Sequence, residues 1–482
     1  MAAAARYEPV IGLEVHVQLL TRTKLFCGCS TEFGSPPNTQ VCPVCLALPG
    51  ALPVVNREAV ALAVRAALAL NCQLRSSSRF ARKNYFYPDL PKGYQISQFD
   101  QPLAEHGWLE VGGNGSASRI GITRVHLEDD AGKSIHDGFA DSDRSSYVDL
   151  NRSGVPLIEI VSEPDLRSSA EAHAYLTEIK QLLQYIGVST CDMEKGHLRC
   201  DANVSVRPAG AEKLGVKTEV KNLNSFRFLQ RALDYEAARQ IEILESGGSI
   251  HQETRLFNAD TGQTSGMRSK EYAHDYRYFP EPDLLPLVVS DRWRDQIRAA
   301  LPELPAAKRR RFASQYGISD YDAQVLTLTP ATADYFEAVV AAGADSKLAA
   351  NWVMGDLAAA GKAADKAIEE SPVTAPRLAE LLRLLAAGTI SGKLAKEIFA
   401  KMFAAGQSAA EIMAAEGLQQ ISDVAEIEKL VDQILAANPK QVESYRGGKT
   451  GVMGFFVGQV MKATRGQANP AVANEVLARK LG

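Results

Sequence analysis

The chain has 482 residues, a length that predicts two to four domains rather than one. Hydrophobic residues make up 46 % and charged residues 23 %, as in ordinary soluble globular proteins, and the net charge of −4 excludes a globally basic chain. No apolar run reaches the roughly 18–20 residues that a membrane span needs, and residues 1–7 lack the apolar core of a signal peptide. We therefore expect a cytoplasmic protein that binds nucleic acid, if at all, through local basic patches.

The first chemical feature along the chain is a strand with one polar face. In Leu13–Gln18, the polar residues Glu14, His16 and Gln18 alternate with apolar ones. Because alternate residues of a strand point to the same side, these three side chains share a face and leave an apolar face for the core.

A cluster of four cysteines follows, in the segment CGCSTEFGSPPNTQVCPVC. Cys27 and Cys29 are separated by a Gly/Pro-rich loop from Cys42 and Cys45. Two close thiolate pairs of this kind are typical of a structural tetrahedral zinc site, which would order a loop too polar to fold by itself. Four unrelated free thiols are the alternative. A catalytic cysteine is disfavoured, because four thiolates leave no open position on the metal.

The segment Arg82–Gly93 (RKNYFYPDLPKG) alternates cations with aromatic residues. Lys83 and Lys92 could hold phosphates, and Tyr85 could stack on a base or a ribose. An edge segment whose aromatic residues belong to the core is an equally good interpretation.

Further strands repeat the one-sided polarity. His126 and Glu128 share a face, and Glu159 interrupts the apolar run Pro156–Val161. Two later strands have polar faces formed by Arg199, Asp201, Asn203, Ser205 and Arg207, and by Lys217, Glu219 and Lys221. For any single strand, the alternative is a sheet with one solvated face. Taken together, carboxylates and imidazoles suit Mg²⁺ and interleaved cations suit phosphate, a combination that favours phosphoryl transfer.

The helices and the change of composition predict the domain organisation. Ser168 followed by Glu171 predicts a capped helix that ends at Gly187, and a second helix should run from Ser225 to Gly247. Beyond residues 280–286 (PEPDLLP) the chain becomes alanine- and leucine-rich with helical spacing. The sequence therefore predicts an α+β fold with boundaries near 290 and 405, dividing the chain into residues 1–292, 293–405 and 406–482.

Several long motifs resemble a known family. They include IGLEVHVQL at 11–19, HLEDDAGKS at 126–134, DLNRSGVPLIEIVSEPD at 149–165 and GKTGVMGFFVGQVMK at 448–462. On these motifs the chain resembles, over nearly its whole length, the GatB family, which supplies the B subunit of the glutamyl-tRNA(Gln)/aspartyl-tRNA(Asn) amidotransferase.

The resemblance implies a glutamine-synthetase-like antiparallel cradle domain, then a helical domain and a tail domain that hold tRNA. It also implies a ligase reaction, in which ATP phosphorylates the side-chain carboxylate of Glu-tRNA(Gln) or Asp-tRNA(Asn) and ammonia displaces the phosphate. The ammonia would come from glutamine through a glutaminase partner (the A subunit), with a small third partner (the C subunit) completing a heterotrimer. The chain has no glutaminase motif of its own. Which of the two misacylated tRNAs it uses stays open.

The resemblance also implies roles for individual residues. Four match the family's Mg²⁺-ligand motifs: Glu14, His16, Glu128 and Glu159. The remaining catalytic candidates are Arg199, Asp201 and Glu219, and the candidates for binding ATP are Lys83, Tyr85, Lys92, Asn203 and Lys221. This sequence has Asp129 after Glu128 where a second glutamate is expected. Because position 129 falls on the opposite face of the strand, only a direct metal role for Asp129 is in doubt.

The tail carries a modest basic cluster, Arg446, Lys449, Lys462 and Arg465. It could contact RNA phosphates or be an ordinary solvated face. Two rival functions also remain, a stand-alone amidoligase that acts on a small amino acid and a non-catalytic, zinc-dependent RNA-binding scaffold. The first would not need the chain beyond about residue 295.

Overall fold

The computed structural model of the protein describes residues 6–112, 118–136, 138–139, 141–142, 144–267, 276–416, 423–464 and 468–482. The chain divides into two compact units, one ending at Leu304 and the other beginning at Pro305. The first (unit 1) combines sheets and helices, and the second (unit 2) is helical. The fold is therefore α+β with a helical C-terminal region, as predicted.

Unit 1 contains all of the described strands. They are β1 (Tyr7–Gln18), β2 (Gln73–Leu74), β3 (Ser77–Ser78), β4 (Ala81–Asn84), β5 (Tyr94–Ser97), β6 (Ala104–Val111), β7 (Ser118–Asp129), β8 (Lys133–Ile135), β9 (Tyr147–Asp149), β10 (Pro156–Ser162), β11 (Leu198–Pro208), β12 (Thr218–Lys221), β13 (Thr254–Asn258), β14 (Gln263–Gly266), β15 (Phe279–Pro280) and β16 (Leu287–Val288).

The main sheet has nine strands in the order β14–β13–β12–β11–β1–β10–β7–β6–β2. Its described pairings are antiparallel, apart from the parallel pair β12–β13. The central strand β1 lies between β10 and β11. Three minor sheets consist of β15–β4–β5, β16–β3 and β8–β9. This order brings the predicted polar strands β1, β7, β10, β11 and β12 side by side.

One face of this sheet forms the core of unit 1. Leu13, Val15 and Val17 of β1 are fully buried there. They share a hydrophobic cluster with residues of three helices, α1 (Arg57–Ala69), α2 (Ser169–Tyr185) and α3 (Phe226–Glu245). Since helices cover the apolar face, the polar side chains of the same strands are left on the opposite face, and the predicted alternation is confirmed.

The ends of α2 and α3 follow the predicted signals. Ser168 accepts a hydrogen bond from the Glu171 amide at 3.1 Å, and Ser225 accepts one from the Phe228 amide at 3.1 Å. The two helices are followed by Gly187 and Gly247, at φ +67° and +79°, a left-handed conformation that glycine adopts without strain. The capping serines and the glycines therefore mark the ends of both helices in the sequence.

The remaining helices lie after the last strand. They are α4 (Asp291–Ala299), α5 (Pro305–Tyr316), α6 (Asp320–Leu326), α7 (Pro330–Ala341), α8 (Ser346–Trp352), α9 (Ala358–Ala363), α10 (Ala375–Ala386), α11 (Gly392–Ala405), α12 (Ala409–Glu416), α13 (Val424–Ala437), α14 (Pro439–Arg446), α15 (Met453–Ala463) and α16 (Pro470–Leu481). Short π- or 3₁₀-helical turns span Val353–Leu357, Ile368–Glu370 and Thr450–Val452. Within the described ranges, no helix is both long and apolar enough to cross a membrane.

Unit 1 extends to Leu304 because α4 packs on its core, and the domain boundary near 290 stays a prediction. Ile297 of α4 is buried in the unit 1 core, and the Arg57 guanidinium lies 5.2 Å from the centre of the Trp293 ring. Unit 2 contains two separate hydrophobic clusters, one within Phe312–Met413 and one within Ile427–Leu481. The division of this unit near residue 405 stays a prediction.

Candidate active site

Two acidic and two imidazole side chains meet on the polar face at the centre of the main sheet. The strand register sets Glu159 of β10 opposite His16 of β1 on one side and His126 of β7 on the other. Nε2 of both imidazoles lies 3.3 Å from Oε2 of Glu159. Glu128 lies 3.5 Å from His16 and 3.7 Å from His126. Three residues distant in sequence, His16, Glu128 and Glu159, are thus brought together as predicted.

The cluster is largely buried, yet its imidazoles and carboxylates hold one another in their charged forms. Burial acts against a charged imidazole, but the carboxylates of Glu159 and Glu128 raise the pKa of His16 to about 9. The same competition raises the pKa of His126. Burial likewise acts against the carboxylates, yet the two imidazoles hold the pKa of Glu159 well below its ordinary value and lower that of Glu128. The cluster therefore holds concentrated charge in a partly water-excluded place.

The donor atoms of this cluster suit a divalent cation. One ligand atom from each of His16, Glu128 and Glu159 lies within 4.8 Å of the other two. Carboxylate oxygens are the ligands that Mg²⁺ prefers, and a neutral imidazole can complete such a set. His126 has a buried Nδ1 with no hydrogen-bond partner among the described residues, so this imidazole is held by its Nε2 contacts alone. The residues of the predicted metal site therefore offer donor atoms that suit Mg²⁺.

Glu14 lies on the same face of β1 but outside this group of three. Its Oε1 accepts a hydrogen bond from Asn203 Nδ2 at 2.9 Å. The register of β1 and β11 sets Glu14 opposite Asp201, whose carboxylate accepts a hydrogen bond from Lys221 Nζ at 2.7 Å. Glu219 accepts a hydrogen bond from the Thr254 hydroxyl at 3.0 Å and is buried. These predicted residues form a second, adjacent row of charged groups.

Asp130 lies in the same candidate site but is not among the residues predicted from the sequence. Its Oδ2 accepts hydrogen bonds from Arg199 at 2.8 Å and from Gln18 at 3.1 Å, and it lies 3.6 Å from Arg152 Nε. Burial acts against its charge, but the two guanidinium groups lower the pKa of Asp130. Strand alternation could have predicted its position, because residue 130 follows His126 and Glu128 at the same spacing of two residues.

A cavity of about 1020 Å³ opens over this face. His16, Glu128 and Arg199 line it, and so do the predicted ATP-binding residues Lys83 and Tyr85. It is large enough for a nucleotide together with part of a second substrate. Further basic residues in its wall are Lys133, Arg152, Lys195 and Lys221.

Of the predicted ATP-binding residues, Lys83, Tyr85 and Lys221 line this cavity and Asn203 does not. Lys92 does not line it either, and its ammonium pairs with the Asp129 carboxylate on the opposite face of β7. Burial raises the pKa of Asp129, while Lys92 acts in the opposite direction. Asp129 thus lies on the face of β7 away from the candidate metal ligands, where strand alternation places it, and pairs there with Lys92.

The four cysteines of the first fifty residues converge. The sulfur atoms of Cys27, Cys29, Cys42 and Cys45 all lie within 4.8 Å of one another, as a tetrahedral zinc site requires. A hydrogen bond from Cys27 lowers the pKa of Cys45 to about 4, and the buried ammonium of Lys24, 3.6 Å from the Cys45 sulfur, also favours the thiolate. The thiolate is the form that binds a metal, so the donor set fits zinc.

The predicted basic cluster of the tail is described in part. Arg446, Lys449 and Lys462 are exposed, and Arg446 Nε donates a hydrogen bond to the Leu481 carbonyl at 3.4 Å. Arg465 lies outside the described residues. A phosphate-binding role for this cluster stays a prediction.

Comparison with known proteins gives matches over both units. A family model described as the GatB/GatE catalytic domain matches residues 9–295, and a GatB domain model matches residues 334–481. Similar relatives include the aspartyl/glutamyl-tRNA(Asn/Gln) amidotransferase B subunits of Carboxydothermus hydrogenoformans and Geobacter sulfurreducens. Each is 56 % identical over 475 residues, which cover 98 % of this chain and 99 % of the relative. The corresponding protein of Syntrophotalea carbinolica is 56 % identical over 477 residues, 99 % of each chain.

Proposed function

The chain belongs to the GatB family of amidotransferase subunits, and from this premise we propose that it activates and amidates the side-chain carboxylate of a misacylated tRNA. The substrates would be Glu-tRNA(Gln) or Asp-tRNA(Asn), with ATP as the phosphoryl donor. The observation that carries the proposal is the convergence of His16, Glu128 and Glu159, from three strands, beneath a cavity walled by lysines and arginines.

The proposed chemistry explains why such a site is needed. A carboxylate does not react with ammonia at neutral pH, because oxide is a poor leaving group. Attack of a carboxylate oxygen on the γ-phosphorus of ATP breaks the bond to ADP and forms an acyl phosphate. Ammonia then attacks the acyl carbon, phosphate leaves with the former carboxylate oxygen, and the nitrogen loses a proton. The products are an amide, ADP and phosphate.

The charged groups of the cavity match the charges that this reaction brings together. His16, Glu128 and Glu159, with Glu14 beside them, would hold Mg²⁺. The ion, when bound, would neutralise charge on the phosphate oxygens. Arg199 is fixed by Asp130, and its Nε is buried without a hydrogen-bond partner among the described residues. Arg199 also lines the cavity, where its guanidinium would bind a phosphate oxygen.

The second row of charged groups would position the substrate. Lys221 is held between Asp201 at 2.7 Å and Glu219 at 3.6 Å. Burial lowers the pKa of its ammonium, but these two carboxylates outweigh that effect and raise the pKa, so Lys221 stays charged. Asn203 orients Glu14. In the same cavity, Lys83 and Tyr85 would bind the nucleotide.

Other expectations from the family complete the proposal. The protein would be cytoplasmic and would act with a glutaminase partner (the A subunit) and a small third partner (the C subunit), because ammonia must reach an acyl phosphate before water does. The four cysteines would hold a structural zinc ion. Residues 293–405 and 406–482 would form helical and tail domains that bind the tRNA, with Arg446, Lys449, Lys462 and Arg465 contacting phosphates.

The test is reconstitution with the two partner subunits, ATP, Mg²⁺, glutamine and each misacylated tRNA. The amino acid released from the tRNA ester is then identified. We expect amide product with the intact chain, and at least about 100-fold slower amidation with Glu128→Gln while tRNA binding is retained. Glu105→Gln is the matched control, since Glu105 pairs with Arg75 at the partly exposed edge of the same unit.

Two results would contradict the proposal. Full activity of the Glu128→Gln variant would support a non-catalytic scaffold. Amidation of a free amino acid by a chain that ends at Leu304 would support a stand-alone amidoligase.

A further inference from the structure

The loop between the two cysteine pairs forms one wall of the cavity. Thr31, Phe33 and Ser35 of this loop line the cavity that His16 and Glu128 also line. The four-cysteine cluster therefore does more than close a loop, because it sets the position of a cavity wall.

The far end of the loop is anchored by a network of hydrogen bonds to residues 148–151. Asn38 donates from its amide to Asp149 at 3.1 Å and from its side chain to the Val148 carbonyl at 2.9 Å. Gln40 donates from its amide to Asn151 at 2.8 Å, and Asn151 donates to the Pro36 carbonyl at 2.7 Å. The side chains between these anchors and the cysteines are thus held in place rather than free to collapse onto the core.

Phe33 lies on this anchored loop with most of its ring in solvent. Its exposed fraction is 61 %, although it lines the cavity, so it lies at the mouth. The His197 ring contacts it edge to face, at 5.5 Å between ring centres and 86° between planes. The Lys195 ammonium lies 6.0 Å from the ring centre. His197 is itself fixed by Thr190, whose hydroxyl lies 2.7 Å from its Nδ1.

We propose that Phe33 is the stacking platform for the terminal base of the aminoacyl-tRNA 3′ end. The inference rests on the proposed function, which requires an aminoacyl ester to enter this cavity. The ester is attached to a terminal ribose, so the base on that ribose must lie close to the mouth when the side-chain carboxylate reaches the charged floor. Proteins commonly hold unpaired bases by stacking them on exposed aromatic rings.

The charges around Phe33 favour a nucleotide over an apolar partner. Lys195 lies beside the ring, and Lys133 and Arg152 line the same cavity. Cations beside an aromatic ring suit a base joined to a phosphodiester backbone, whereas an apolar peptide offers them no charged group. Within the protein, the Lys195 ammonium lies 3.4 Å from the Asp192 carboxylate, and Arg152 Nε lies 3.6 Å from the Asp130 carboxylate. The edge-to-face contact with His197 orients the Phe33 ring and does not require a partner stacked on its face.

The test is a double-mutant cycle that combines a change in the protein with a change in the tRNA. Wild type, Phe33→Ala and Phe33→Tyr are assembled with the partner subunits and assayed on two chemically aminoacylated tRNAs. One has the natural 3′-terminal base and the other is abasic at that nucleotide. Leu214→Ala is the control, since Leu214 is 51 % exposed and does not line the cavity. Zinc content and melting temperature are measured for each variant to show that the loop stays folded.

We expect Phe33→Ala to raise KM for the natural substrate by about 5- to 100-fold, with kcat changed less than about twofold, because stacking acts on binding. Phe33→Tyr should retain the wild-type KM. The abasic tRNA should raise the KM of wild type by a similar factor and that of Phe33→Ala by less than about twofold.

The alternative outcomes separate the two proposals. If wild type uses natural and abasic tRNA with the same KM, Phe33 does not stack on the terminal base, although amidation stands. The inference also fails if Phe33→Ala and the abasic nucleotide raise KM independently, so that the abasic nucleotide has the same effect on Phe33→Ala as on wild type. If wild type amidates neither tRNA, the proposed function itself is wrong.

Discussion

Replacing Glu159 by glutamine tests whether the imidazole–carboxylate cluster carries the charges described above. Glu159 is 7 % exposed, and its Oε2 lies 3.3 Å from Nε2 of both His16 and His126. Glutamine keeps the size of the side chain but removes its charge. The imidazoles then lose the nearest anion that compensates their burial. We expect the variant to be less stable than wild type in metal-free solution near neutral pH.

The size of the effect follows from the pKa of His16. The ordinary imidazole value of 6.5 rises to about 9 in the folded protein. Each pKa unit is worth about 1.4 kcal/mol, and an imidazole that loses its partner can release its proton rather than stay charged. The loss near pH 7 is therefore limited to about 3 kcal/mol. Because the folded-state pKa is raised, this stabilisation is fully present below pH 6.5 and disappears as the pH rises through about 9.

Urea unfolding followed by tryptophan fluorescence measures this difference. Of the three tryptophans, Trp108 and Trp293 lie in unit 1 and Trp352 lies in unit 2. A Trp352→Phe background therefore restricts the signal to the unit that carries the site. Wild type and Glu159→Gln in this background are compared in EDTA at pH 6.5, 7.5 and 9.5.

The surface variant Glu105→Gln serves as the control and should change the unfolding free energy by less than about 1 kcal/mol. A loss for Glu159→Gln that is the same at pH 6.5 and pH 9.5 would refute the reasoning. It would mean that the glutamate stabilises the fold by packing and not through the charge of the imidazoles.

Three further predictions concern the rest of unit 1. Asp129→Asn leaves the buried Lys92 ammonium without its partner and should destabilise unit 1 by about 3 kcal/mol, measured by urea unfolding; an unchanged midpoint would exclude a structural role for this pair. Cys45→Ser should reduce zinc to well below one equivalent per chain by elemental analysis and lower the melting temperature, whereas full zinc retention would contradict a four-thiolate site. Gly107→Ala places a Cβ 2.7 Å from the Leu70 carbonyl oxygen and should lower stability by about 1–3 kcal/mol, with a wild-type melting temperature as the contrary result.

The sequence predicted the local features of the fold well. Strand alternation assigned Glu14 and His16 to one face and the buried residues of β1 to the other. The caps at Ser168 and Ser225 marked two helices. These features depend on neighbours a few residues away, so the sequence contains the information directly. The domain boundary near 290 stays a prediction, and the packing of α4 on α1, a contact between distant segments, is not visible in the local sequence.

The sequence named the residues of the candidate cluster but not their arrangement. Residue chemistry and family motifs named His16, Glu128 and Glu159, but their distances depend on β10 pairing with both β1 and β7. Alternation could have extended the set to Asp130. It could not show that Arg199 would be the partner of Asp130, since that contact joins two strands from different parts of the chain.

Lys92 shows most clearly what sequence alone leaves undecided. In the sequence it is a cation among aromatic residues, and such a cation could bind a phosphate or pair with a carboxylate. Only the tertiary structure turns it away from the large cavity toward Asp129. The sequence by itself determined which side chains share a strand face and which family the motifs resemble. The register and order of strands decided which charges meet, because electrostatic partners are set by distance in space and not by distance along the chain.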